Sequence, residues 1–129
     1  ITARKPATEK EATLDFCRLL ARDGADGPLH CTASQRHDLD DVLDRRIIHA
    51  AAAAIDHQDE VNLDYAIRNT DRAACAMLSG AIAARHGEQG LPDGTVNIRF
   101  KGSAGQSFGA FLAKGVNVKL EGEANDYFA

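Results

Sequence analysis

The sequence contains no tryptophan and few other aromatic residues. Aromatic residues make up 5% of its 129 residues, whereas apolar residues make up 44%. A chain of this length can bury a core of its own, and the apolar content is too high for a disordered protein. The core is therefore expected to consist mainly of aliphatic side chains and alanine.

Long apolar runs and concentrated positive charge are also missing. The apolar stretch at 47–55 is interrupted by His49 and is far shorter than the roughly 18–20 residues of a membrane span. The formal net charge is −4, with acidic and basic residues interleaved. Nucleic acids and anionic membranes bind concentrated basic patches, so we predict neither as a partner.

Cysteine is scarce and irregularly spaced. The three cysteines are Cys17, Cys31 and Cys75, an odd number that favours reduced thiols in the cytoplasm over a disulfide framework. Residues 1–5 lack the apolar segment of a signal peptide. Because the first residue is Ile1, we expect a fragment of a longer cytoplasmic protein.

Capping motifs and apolar spacing predict three helices. Residues 8–11 (Thr-Glu-Lys-Glu) fit a capping box at the start of a helix over 9–21. Apolar residues at spacings of three and four predict a second helix over 38–55. A third helix is predicted after 69–71 (Asn-Thr-Asp), whose side chains can cap it, with Gly87 at its C-terminal end.

Gly80 lies inside the third predicted helix. Glycine at such a position costs roughly 1 kcal/mol of helix propensity. We expect a close packing contact at Gly80 to offset that cost.

Alternating apolar and polar residues predict strands over 61–67, 96–100 and 116–120. Gly122 is expected to end the last strand. Further glycines, Gly102, Gly105 and Gly109, follow the second strand. Short strands separated by glycines are typical of a sandwich, a barrel or a parallel β-solenoid, and composition alone does not choose among them.

Four segments in order resemble the glycine-rich C-terminal domain of glutamate synthase large subunits. They are residues 69–72 (NTDR), 77–80 (MLSG), 101–112 (KGSAGQSFGAFL) and 120–127 (LEGEANDY). The resemblance covers roughly half of the chain and extends more weakly to the predicted helix before this part.

The resemblance implies an α+β chain whose glycine-rich part is a right-handed parallel β-helix. We expect a helix and linker over 1–37, a helix–strand–helix segment over 38–93, and truncated β-helix coils over 94–129. The last coil has no polar cap, so its strand edge is expected to be sticky.

The resemblance also implies a structural role within a larger enzyme. Glutamate synthase transfers the amide nitrogen of glutamine to 2-oxoglutarate and makes two glutamates. In that family an N-terminal cysteine nucleophile lies in an amidotransferase domain, and a barrel domain holds FMN and an iron–sulfur cluster. The expected partners are those amidotransferase and FMN-binding synthase domains, while association into a homo-oligomer stays open.

This chain has neither an N-terminal cysteine nor a close cysteine triplet. We therefore expect no catalytic, cofactor-binding or metal-binding residue and no activity from the chain alone. In a β-helix the coils stack closely and the corners need positive φ, and glycine meets both demands. At least one of Gly102, Gly105 and Gly109 is expected to have positive φ. The residues predicted to be structural are Asn69, Asp71, Gly80, Gly102, Gly105, Gly109 and Gly122.

Two other functions fit the same pattern. The chain could be a separate glycine-rich subunit of a related amidotransferase, such as an N-methylglutamate synthase. It could instead be a small binding protein with a ligand at 102–112.

Other candidate sites have simpler interpretations. His30, Cys31 and His37 offer three ligands where a structural zinc site needs four. Residues 102–105 (Gly-Ser-Ala-Gly) lack the Gly-Lys-Ser ending of a P-loop. His86 is interpreted as a helix-end cap. The acidic residues Asp38, Asp40, Asp41 and Asp44 are interpreted as a solvated helix start.

Overall fold

A computed structural model describes residues 3–21, 27–28 and 30–128 of the chain. The chain divides into two units, residues 1–37 and residues 38–129. Residues 22–26, inside the predicted linker, lie outside the described part.

The first unit contains α1 (Glu9–Ala12) and α2 (Cys17–Leu20) among its described residues. A single helix over 9–21 was therefore the wrong prediction. The start of α1 is as expected, because the Thr8 hydroxyl accepts from the Glu11 amide at 3.2 Å.

Local hydrogen bonds separate α1 from α2. The Thr13 hydroxyl donates to the Lys10 carbonyl, and Asp15 Oδ1 accepts from the Cys17 amide at 2.8 Å. Short polar side chains that bond nearby backbone groups compete with the helical ladder, and here they interrupt it.

The second unit contains α3 (Leu43–Ala50), α4 (Ala52–His57) and α5 (Ala76–His86). The predicted helix over 38–55 starts at Leu43 rather than at Asp38, whose φ of 46° is not helical. It also breaks at Ala51, whose φ of −90° and ψ of 10° separate α3 from α4. No helix among the described residues is long and apolar enough to cross a membrane.

Three parallel strands, β1 (Val61–Ile67), β2 (Val96–Ala104) and β3 (Val116–Ala124), form one sheet in the order β1-β2-β3. The prediction for β1 is confirmed. Strands β2 and β3 are each four residues longer than predicted, because their pairing continues past Gly102 and Gly122 to Ala104 and Ala124. The expectation that Gly122 ends β3 was wrong.

The register places apolar residues in rows across the sheet. Val61, Val96 and Val116 are partners, and so are Tyr65, Phe100 and Leu120. Phe100 is fully buried and meets Phe108 edge-on, with ring centroids 5.3 Å apart. The core is otherwise aliphatic, and its largest fully buried aliphatic side chains are Ile47, Leu78, Ile82, Leu91 and Val96.

Asp44 connects α3 to the start of α5. Its Oδ1 accepts from the Cys75 amide at 2.7 Å, and its Oδ2 accepts from the amides of Met77 at 2.7 Å and Leu78 at 3.4 Å. The first amides of a helix have no partner within the helix, and their end of the helix dipole favours a negative charge. Asp44 is 5% exposed, so its interpretation as a solvated residue was wrong.

We expect Asp44→Ala to lower the free energy of unfolding by about 2–3 kcal/mol, because it leaves buried amides of α5 without an acceptor. Asp44→Asn keeps one carbonyl oxygen and should lose about 1 kcal/mol. Urea denaturation followed by circular dichroism measures both, with Asp41→Ala as the control because Asp41 is exposed. Equal losses for Asp41→Ala and Asp44→Ala would contradict this role of Asp44.

Cys75 is fully buried, whereas Cys17 and Cys31 are exposed. The pKa of the Cys75 thiol is raised from 9.0 to about 12, mainly by burial and to a smaller extent by the nearby Asp44 carboxylate. We therefore expect a thiol reagent at neutral pH to label two cysteines quickly and Cys75 only after unfolding.

Because of this pKa shift, we expect the folded chain to lose stability as the pH rises through the alkaline range. The unfolded thiol ionises near pH 9.0 while the folded thiol stays protonated up to about 12, so the contribution of Cys75 is lost as the pH rises through this range. Stability of Cys75→Ala should fall less steeply between these pH values than that of the unsubstituted chain. Identical slopes would argue against the shifted pKa.

Candidate structural site at the carboxyl ends of the strands

Ile67, Gly102 and Gly122 are register partners and form one row across the three strands. The φ of Gly102 is 132° and that of Gly122 is 148°, values that residues with a side chain rarely adopt. A Cβ on Gly102 would collide with the Ile67 carbonyl, and a Cβ on Gly122 would collide with the Gly102 carbonyl. Each strand therefore stacks directly on the backbone of the strand before it.

Gly105 and Gly109 lie in the loop that follows β2. A Cβ on Gly105 would lie 2.6 Å from the Asp71 carbonyl oxygen and 2.7 Å from that of Asn69, so close approach alone requires glycine there. Gly109 has a φ of 71°, and its amide donates to the Ala74 carbonyl at 3.1 Å. Gly102 and Gly109 thus meet the expectation of positive φ, and Gly105 does not.

Asn69 joins its loop to the loop after β3, and Asp71 closes a turn within its own loop, so neither side chain caps α5. Asp71 Oδ2 accepts from the Arg68 amide at 2.8 Å, and Asn69 Oδ1 accepts from the Asn125 side-chain amide at 2.9 Å. The helix starts only at Ala76, because Cys75 has a φ of 75°. The predicted capping by 69–71 was therefore wrong.

Backbone hydrogen bonds join the same loops. The Ala73 amide donates to the Gln106 carbonyl at 2.8 Å, and the Ser107 amide donates to the Asp126 carbonyl at 2.9 Å. We call residues 67–74, 102–109 and 122–126 the corner stack, since each loop lies on the preceding one. Of the seven residues predicted to be structural, only Gly80 lies outside it.

Gly80 has a different environment from the one expected. It is exposed, and a Cβ added to it would have no atom within 4 Å other than its chain neighbours and the backbone of its own helix. The expected packing contact is absent among the described residues.

The sequence reasoning missed a row of asparagines, which lies on the face of the sheet that points away from the core. Asn62, Asn97 and Asn117 are register partners. Asn117 donates its side-chain amide to Asn97 Oδ1 at 3.0 Å, and Asn97 donates to the Gly94 carbonyl at 2.7 Å. The signal was present, because each strand begins with the same pattern of valine, asparagine and an aliphatic residue.

The other candidate residues have structural surroundings. The Cys31 thiol donates to the Ala33 carbonyl at 3.0 Å. His86 Nε2 is 2.7 Å from the Ile55 carbonyl, which joins the end of α5 to α4. Residues 102–104 belong to β2 rather than to a loop before a helix.

Metal-ligand side chains do not cluster within residues 3–21, 27–28 and 30–128, where no three or more of His, Cys, Asp and Glu lie together. Iron–sulfur clusters are held mainly by cysteine thiolates that lie close together. Of the three cysteines, Cys75 is buried with a raised pKa, and no such group of ligands lies together within the described residues.

A family profile described as the GXGXG motif matches residues 42–129. The chain belongs to this family. The matched segment contains all three strands and the whole corner stack.

The chain is also similar to glutamate synthases, which confirms the resemblance inferred from the sequence. It is 47% identical over 100 residues to the glutamate synthase [NADH] of Saccharomyces cerevisiae, covering 78% of this chain and 5% of that protein. It is 40% identical over 119 residues to the glutamate synthase [NADPH] large chain of Bacillus subtilis, covering 92% and 8%. With the chloroplastic ferredoxin-dependent glutamate synthase of Oryza sativa subsp. japonica it shares 46% identity over 93 residues, covering 70% and 6%.

The chain therefore spans less than a tenth of the length of these relatives. The alignment with the Bacillus subtilis protein is longer than the family match to 42–129, so it extends into the first unit. Similarity to glutamate synthases thus includes residues within 1–37.

We expect Gly122→Ala and Gly102→Ala each to lower the free energy of unfolding by about 2 kcal/mol or more, because the new Cβ meets a backbone carbonyl at an unfavourable φ. Gly80→Ala is the matched control and should raise it by about 0.5–1 kcal/mol, since it only improves helix propensity. Thermal or urea unfolding measures all three. A Gly122→Ala variant as stable as the control would disprove the close-approach argument.

Proposed function

We propose that this chain is a non-catalytic structural part of a glutamate synthase. In this proposal, the second unit supplies coils of a right-handed parallel β-helix, and these coils hold the amidotransferase and FMN-binding synthase domains in register. The FMN and the iron–sulfur cluster belong to those other domains.

The stacking of the three strands is the observation that carries the proposal. Each strand lies beside its predecessor in the chain, without any shift of its valine-asparagine-aliphatic pattern. Direct stacking of like residues, with glycines where backbones touch, is typical of solenoid coils that pack on their nearest neighbours. A stiff stack of coils suits a spacer between domains.

The buried polar side chains support a structural role. They are Asp44, Ser79 and Thr95. Asp44 caps α5, the Ser79 hydroxyl accepts from the Ala113 amide at 3.0 Å, and the Thr95 hydroxyl donates to the Pro92 carbonyl at 2.6 Å. Each of these side chains holds a backbone group.

The two rival functions make different demands on the same structure. A ligand at 102–112 needs space there, yet Ala104 and Phe108 are buried in the core and Gly105 touches backbone. A separate subunit of a related amidotransferase would have the same fold and would differ only in the domains that it contacts. The fold therefore does not distinguish the two functions, and the proposal has to be tested inside a glutamate synthase.

The test places this chain in the Bacillus subtilis large chain, in exchange for the 119 residues aligned with it. We expect the chimera to make glutamate from glutamine and 2-oxoglutarate. Introducing Gly122→Val should reduce this coupled activity at least tenfold while ammonia release from glutamine and FMN content persist. Gly80→Ala in the chimera is the control and should leave the coupled activity unchanged.

The chain is also assayed alone. We expect no ammonia release from glutamine, and no flavin retained after gel filtration. Ammonia release or retained flavin in the isolated chain would refute the proposed structural role. Full coupled activity in the Gly122→Val chimera would also refute it.

A further inference from the structure

Residue-by-residue pairing continues beyond the ends of the strands. Within the sheet an amide donates to the carbonyl of the residue that precedes its register partner, as the Val61 amide does to the Thr95 carbonyl at 2.8 Å. In the loops the Ala73 amide donates to the Gln106 carbonyl at 2.8 Å. By the same rule, Ser107 is the register partner of Ala73.

The pairing at Ser107 extends to the third loop. The Ser107 amide donates to the Asp126 carbonyl at 2.9 Å, so its partner there is Tyr127. The φ angles are 50° at Ala73, 63° at Ser107 and 58° at Tyr127. Residues with a side chain seldom adopt positive φ, yet three paired positions share it. The hydrogen bonds and the backbone conformation therefore define the same register.

A second left-handed position lies two residues further along the first two loops. The Gly109 amide donates to the Ala74 carbonyl at 3.1 Å, so its partner is Cys75. The φ angles are 71° at Gly109 and 75° at Cys75. We call the two sets the left-handed columns. The first is Ala73, Ser107 and Tyr127, and the second is Cys75 and Gly109.

The loops reach the first column over different lengths. Each loop starts from the row of Ile67, Gly102 and Gly122, with five intervening residues after β1 and four after β2 and after β3. A turn takes up the additional residue after β1. The Asp71 amide donates to the Arg68 carbonyl at 2.8 Å, and Asp71 Oδ2 accepts from the Arg68 amide at 2.8 Å. The register is regained at the first column although the loops differ in length.

We propose that the left-handed columns restore the register of successive strands and loops after each corner. A left-handed residue reverses the direction of the chain within a tight turn, so loops that arrive by different paths continue in the same direction. Ala73, Cys75 and Ser107 carry side chains at positions that suit glycine, which stores strain in the backbone. The hydrogen bonds between the loops hold these residues in place against that strain.

A matched pair of substitutions tests the strain. Ala73 and Ala110 are both half-buried, and of the two only Ala73 has positive φ. Ala73→Gly should raise the melting temperature of this chain by about 2 °C or more, because glycine adopts this conformation without strain. Ala110→Gly should lower it by a similar amount, and Ser107→Gly should behave like Ala73→Gly. A loss in Ala73→Gly as large as that in Ala110→Gly would overturn the proposal.

Deletion of Thr70 tests the register itself. Thr70 is exposed, and its removal shortens the loop after β1 to the length of the other two. We expect the shortened chain to fold with slow hydrogen exchange at the Ala73 and Gly109 amides, because the loop still reaches the left-handed columns. Deletion of Gln106 is the control. It leaves three intervening residues, fewer than in any of the three loops, and should abolish the slow exchange.

Hydrogen exchange followed by NMR measures these amides. In the unsubstituted chain, the Ala73 and Gly109 amides should exchange as slowly as the Val96 amide, which is paired within the sheet. Fast exchange at either amide, or loss of their protection when Thr70 is deleted, would overturn the proposal. The inference concerns the conformation of this chain and does not rest on the proposed function. Its failure would therefore leave the structural role in glutamate synthase untouched.

Discussion

The direct contact between strand backbones at Gly102 and Gly122 sets the geometry of the second unit. The strands pair in parallel without a shift along their whole length, so like residues fall into straight rows across the sheet, and a side chain at either glycine would disturb this pairing. Those rows bring the valines, the aromatic residues and the asparagines together in turn. The core and the corner stack both depend on this spacing, since the loops after β1, β2 and β3 meet only if the strands end at the same level.

Asp44 couples the helices to this stack. It belongs to α3 and holds the first amides of α5, the helix that connects β1 to β2. A carboxylate is suited to this place because three amides converge on it at the positive end of the helix dipole. The Ser79 hydroxyl then holds the Ala113 amide in the connection from β2 to β3. Two polar side chains thus join α3 to α5, and α5 to the connection between β2 and β3.

The sequence predicted the parts of the fold that follow local rules. Alternation placed β1 correctly, and the resemblance to glutamate synthases identified the family. Glycine was a less certain guide, because the same residue extends a strand at Gly122, permits close approach at Gly105, and is exposed at Gly80. These uses differ only in what lies across from the glycine, and local sequence does not contain that information.

Long-range contacts explain the other errors. Asp44 looked like one of several exposed acids because its three partners are about thirty residues away. The loop at 69–71 looked like a helix cap because its true partners lie beyond β2 and β3. In contrast, the row of asparagines could have been found by comparing the three strands with one another, since each carries its asparagine at the same position.

The two connections between the strands differ greatly in length and still give the same register. The segment 68–95 contains a whole helix, whereas 105–115 contains none. The register therefore does not depend on the length of the connection between two strands, provided that each connection brings the next strand to the same level as the previous one. Insertions and deletions should be tolerated at the exposed residues 87–89, which lie outside the corner stack, but not at Leu91, which is buried in the core. A single residue inserted within a strand would instead turn every following side chain to the opposite face.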